Sequence, residues 1–124
     1  MMRGIVTERH AMVPVVFRLP GQPDFTVDFV VDTGFTGALA LPPAAIGVLA
    51  LPYIGEQTAN LANDAVVELS LHAATILWNG AAQEVRVLAT GRRPLLGTTL
   101  LDGNALLVHF EDGGSVTVDA LQRD

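Results

Sequence analysis

The chain has 124 residues, 50% of them hydrophobic, with a formal net charge of −6 and no cysteine. That length suits one domain, residues 1–124, with a sizeable core, and the composition excludes disorder. The acidic balance and the complete lack of lysine argue against a nucleic-acid surface, and without cysteine neither a disulfide framework nor a thiolate metal site can form.

Taken in chain order, residues 1–10 contain no apolar stretch of the signal-peptide kind, so a cytoplasmic protein is the expectation. Val13, Val15 and Phe17 alternate, Pro20-Gly21 turns the chain, and Phe25, Val27, Phe29 and Val31 alternate on the return, which predicts a β-hairpin. Residues 33–55 carry no charge, a length that suits a membrane span. Pro42, Pro43 and Pro52 with Gly34, Gly37 and Gly47 cut that stretch into short pieces, so it reads as interior and cleft-lining segments instead, with no membrane partner. Residues 38–41 form a short strand, and Pro42-Pro43 opens a helix over 44–49. Strands are expected over 53–61 and 66–77, with Asn63-Asp64 turning between them, and over 84–89 after an Asn79-Gly80 turn. Leu95-Leu96-Gly97 precedes a helical turn over 98–101, and a last hairpin joins 106–110 to 115–118. The sum is about eight to ten short strands and at most two short helices, an all-β barrel or folded sheet.

The chemistry concentrates in Val30-Val31-Asp32-Thr33-Gly34-Phe35-Thr36-Gly37. An apolar strand runs into a carboxylate and the chain then turns on glycines, so Asp32 stands where a buried strand ends and a cleft can begin. Backbone N–H groups downstream can orient it for general acid/base work. Read alone, the tripeptide fits an Asp-initiated turn better, and it is the rest of the chain that favours the chemical reading. Asp102 and Asp112 precede glycines and read as turns, Asp24 follows a turn proline, and Asp28 alternates away from Phe25 and Phe29. His10, His72 and His109 lack metal-ligand spacing and read as structural or solvated, with no metal and no cofactor implied. Arg92-Arg93 reads as a solvated pair and Trp78 as packing at its hairpin.

With Leu41-Pro42 after the first motif and Pro94-Leu95-Leu96-Gly97-Thr98-Thr99-Leu100-Leu101 roughly sixty residues later, the chain resembles retropepsin-like aspartic proteases. The likeness is greatest to the small prokaryotic members whose motif reads Asp-Thr-Gly-Phe. It implies a closed, barrel-like retropepsin fold and an aspartic endopeptidase acting on polypeptides. Such an enzyme needs two carboxylates sharing a proton, and this chain carries one motif, so the resemblance implies a homodimer with Asp32 supplied by each copy. It further implies that Thr33 ties the two turns across the axis and that Gly34 leaves room for substrate. By the same resemblance Phe35, Thr36, Leu96 and Gly97, with Ala62 and Asn63 at the tip of a covering flap over 53–69, contact substrate. Two departures stand out. The expected flap has no glycine between Gly55 and Gly80; Asn63 can stand in for glycine at positive φ only in part, and an ordinary hairpin is the alternative. Thr36 and Thr98 occupy positions where the family commonly carries an acid and an arginine, which leaves a neutral brace. The competing reading is a catalytically idle module of the same fold that grips an extended segment of a partner protein.

Overall fold

The computed structural model describes residues 1–60 and 62–122. Along them run β1 (Met2–Thr7), β2 (His10–Arg18), β3 (Phe25–Val31), β4 (Leu39–Leu41), α1 (Pro43–Leu49), β5 (Tyr53–Asn60), β6 (Val66–Trp78), β7 (Ala81–Ala89), β8 (Leu95–Leu96), α2 (Thr98–Leu101), β9 (Asn104–Val108) and β10 (Ser115–Ala120). Leu61, expected to end the strand beginning at Tyr53, lies outside the described residues.

The strands join one sheet in the order β5-β6-β7-β4-β8-β3-β2-β1-β10-β9, and an added β6–β2 pairing closes a barrel of six, β6-β7-β4-β8-β3-β2. Closure is possible because β2 divides one edge between two partners. Its first residues pair with β1, and Val16, Phe17 and Arg18 pair with β6. Inside the barrel, alternation has its expected effect: Val13, Val15, Phe17 and Phe29 are fully buried, as are Leu41, Ile76, Val87 and Leu96. The Phe17 and Phe29 rings stack with centroids 6.0 Å apart. Each such side chain contributes about 1.5–3 kcal/mol by leaving water.

Turn chemistry sets the registers. Asn79 (φ 50°) and Gly80 (φ 82°) make the left-handed pair that a two-residue hairpin requires. Glu8 (φ 48°) and Arg9 (φ 67°) adopt the same conformation between β1 and β2 without a glycine, so β1 had no turn signal and was not expected. Proline at the first position opens α1. Before Leu71, β6 pairs with β5 alone, so residues 56–60 and 66–70 leave the barrel as a two-stranded arm. No helix among the described residues is long and apolar enough to cross a membrane.

Candidate active site

β8 lies between β3 and β4. Val30 and Val31 pair in parallel with Leu95 and Leu96, while Leu39 and Ala40 pair antiparallel with the same two residues. The connection from β3 to β4 must therefore arch over the end of β8, and that arch begins at Asp32. Its backbone N–H donates to the Leu96 carbonyl at 2.9 Å, continuing the ladder one step beyond β3. The Gly34 N–H donates to Asp32 Oδ1 at 2.9 Å, and the Phe35 N–H to the Asp32 carbonyl at 3.1 Å. Asp32 is half-buried, and Thr33 and Gly34 are exposed beside it. The result is an oriented carboxylate at the rim of a dry sheet, fixed by its own turn.

The second motif clamps the first. The Gly97 N–H donates to Ala38 O at 2.9 Å, Thr98 N–H to Phe35 O at 2.9 Å and Thr99 N–H to Gly37 O at 3.2 Å. A Cβ on Gly97 would overlap the Gly37 and Phe35 carbonyl oxygens, so only glycine lets the two segments approach this closely. A Cβ on Gly37 would stand 2.6 Å from the Phe35 ring, which lies over it. Within the chain, two hydroxyls add to this clamp: Thr99 Oγ1 donates to Thr36 O at 2.6 Å, and Thr98 Oγ1 donates to Phe35 O at 3.5 Å. Thr99 was not singled out from the sequence.

The remaining expected site residues separate. Phe35 is half-buried and packs with Leu69 and Leu95 over Ala40, Leu71 and Leu88, an apolar cluster outside the barrel. Leu96 is corrected: it is fully buried in the barrel core, so its side chain packs and does not face a cleft. Its neighbour Leu95 has the opposite parity and turns to the Phe35 side. Gly97 is buried beneath Phe35 and acts through close packing. At the arm tip, Ala62 and Asn63 are exposed. Positive φ belongs to Asp64 (65°), whereas Asn63 Oδ1 accepts the Ala65 N–H at 3.1 Å, which corrects the expectation for Asn63.

Register extends the Asp32 side of the sheet in both directions. Ile5, Met12, Val30, Leu95, Ala40, Leu88 and Leu71 are successive cross-strand partners and share one face. On one flank of the turn, a cavity of about 560 Å³ is lined by Phe35, Gly37, Ile54, Gln57, Leu71, Arg86 and Thr99 among others, so the arm's root and the turn share a wall. Asp32 itself does not line it. On the other flank, a cavity of about 480 Å³ includes Ile5, Met12, Asp28, His10 and Arg93, with Arg93 Nη1 2.8 Å from His10 Nε2. At the arm's base, Tyr53 hydrogen-bonds Glu56 at 3.2 Å; partial desolvation first, then the Glu56 and Glu68 charges, raise its phenol pKa. His72 Nδ1 lies 2.9 Å from Leu51 O, and Arg18 pairs with Asp24 at 3.5 Å, both structural contacts. Among the described residues no three His, Asp or Glu side chains gather so as to hold a metal ion.

No protein-family model and no curated protein matches this sequence. Among solved structures, the chain is similar to a retropepsin-like aspartic protease from Rickettsia conorii, with 13% identity and a TM-score of 0.50 over 98% of this chain and 97% of that one. At that identity the likeness speaks to architecture alone. The chain has the all-β, retropepsin-like fold.

Proposed function

We propose that this chain is an aspartic endopeptidase that works as a homodimer, with Asp32 from each copy forming the catalytic dyad. The observation that carries the reading is the single carboxylate at the arch where both glycine motifs interlock, oriented by Gly34 N–H and bordered by exposed Thr33 and Gly34. Two carboxylates about 3 Å apart cannot both ionise, so one holds a proton and the other does not. The ionised one removes a proton from water, whose oxygen attacks the peptide carbonyl carbon. The protonated one donates to the carbonyl oxygen, and the tetrahedral species collapses as the C–N bond breaks and the amine takes a proton. Thr33 ties the two turns across the axis, and Gly34 leaves space for the substrate backbone. Phe35, Thr36, and the arm tip at Ala62 and Asn63 contact an extended polypeptide, and the apolar wall of Phe35, Leu69 and Leu95 favours apolar side chains.

Digestion of an unfolded protein mixture from acid to neutral pH tests this. Wild type should cut, a statine-type transition-state mimic should stop it, and Asp32→Asn should abolish it. A folded, dimeric protein that never cuts, yet holds a partner segment with or without Asp32, would turn the reading to the idle binding module.

A further inference from the structure

The end of the molecule that carries Asp32 also carries its most exposed aromatic side chain, Phe110, at 71%. Register places it there. Thr7 pairs with His10 and Met12 with Val30, so two steps further along β2 and β3 bring Asp32 level with His10 and the Glu8-Arg9 turn. The β9–β10 loop is tied to that same turn: Val6 N–H donates to Gly114 O at 2.8 Å, Gly113 N–H to Val6 O at 2.9 Å and Glu8 N–H to Asp112 Oδ1 at 3.4 Å. β10 is three strands from β3, roughly 14 Å at ordinary sheet spacing. Phe110 borders a hollow of about 400 Å³ floored by Val6 and rimmed by Glu8, Arg9, Glu111 and Asp112.

Three features of this end fit a two-fold contact. Phe110 and its hollow form a self-matching knob and socket, which an isologous interface requires. The rim carries both signs of charge, so Arg9 can face the partner's Glu111 or the partner's Asp112 across the axis. Glu8 and Arg9 also hold left-handed conformations costing about 1–2 kcal/mol each without glycine. The Asn79-Gly80 turn shows that the chain uses the relaxed pair elsewhere, so the Glu8-Arg9 turn carries its charged side chains at a cost in backbone strain.

We propose that Phe110 is the apolar anchor of the contact with a second copy of this chain. The inference rests on the shared-dyad reading, since the two-fold that joins the Asp32 turns brings these ends together.

Sedimentation velocity on the full chain across concentrations tests it. Phe110→Ser should weaken dimerisation about tenfold or more, with far-UV circular dichroism unchanged because the ring packs against nothing essential to the fold. An unchanged dimer constant overturns this inference and leaves the dyad reading standing. A wild type that cleaves while monomeric at every concentration overturns both. Should Phe110→Ser fold poorly, the absence of native cysteine allows a second probe. Alkylation of Glu111→Cys, which keeps Phe110 and places an exposed thiol on the rim of the same hollow, should slow as protein concentration rises, while Val48→Cys, at a position 82% exposed on α1, should react at a constant rate. A concentration-independent rate at position 111 contradicts the proposal.

Discussion

The Thr99 hydroxyl donates to the Thr36 carbonyl at 2.6 Å, joining positions 63 residues apart. It stands beside two backbone bonds, Thr98 N–H to Phe35 O and Thr99 N–H to Gly37 O, so the start of α2 holds the arch after Asp32 from one side. Thr99→Val keeps the shape and removes the donor. The expected cost is about 1 kcal/mol in chemical denaturation, with a larger proportional loss of cleavage because the arch carries Asp32.

Glycine matters unequally along this chain. Gly97→Ala drives a methyl group into the Gly37 and Phe35 carbonyls, and should cost about 3 kcal/mol or more. Gly47→Ala is the internal control: it lies within α1, with nothing within 4 Å of the new methyl. There the change should stabilise by about 0.8–1 kcal/mol through helix propensity. Urea midpoints of the two variants should move in opposite directions.

Phe35 links the arch to the arm by packing with Leu69 over Leu71 and Leu88. Its half-buried ring places Phe35→Ala near 2 kcal/mol, below the about 3–5 kcal/mol of a fully buried phenylalanine. Hydrogen exchange should report where the loss falls: amides of residues 66–71 should exchange faster, with those of β2 and β3 little changed.

The chain has a single tyrosine, so ultraviolet titration reads Tyr53 alone. Its phenol should titrate above the ordinary value, and Glu56→Gln should lower it part of the way back, since desolvation is the largest cause and the Glu56 charge comes second. The sign for stability follows from linkage. A raised folded-state pKa means the native state holds its proton longer, so that contribution is complete below about pH 10 and is lost as pH rises through the folded value. Tyr53→Phe should remove that alkaline decline.

Much of the barrel was legible because its signals are local. Alternation over Val13, Val15 and Phe17 named the buried face, Asn79-Gly80 announced its turn, and Pro42-Pro43 marked the start of α1. β1 was missed because Glu8-Arg9 turns without a turn residue, at a conformational cost no propensity scale rewards. Ala81, Ala82 and Gln83 extend β7 although they are exposed and form strands weakly; pairing with Trp78, Leu77 and Ile76 holds them there. Asp32 and Gly97 stood out as motifs, but the Leu95 and Leu96 roles depend on which face β8 presents between two neighbours. The Thr99 brace joins distant segments through a hydroxyl and a backbone carbonyl, which leaves no pattern in sequence.

The shared dyad is tested most directly by mixing wild type with Asp32→Asn at constant total protein and letting subunits exchange before assay. If both copies must supply Asp32, only wild-type pairs cut, and an equal mixture retains about half the activity per wild-type chain. Activity per wild-type chain that stays constant as Asp32→Asn is added, in samples shown to have exchanged subunits, would contradict the account, because each Asp32 would then work alone.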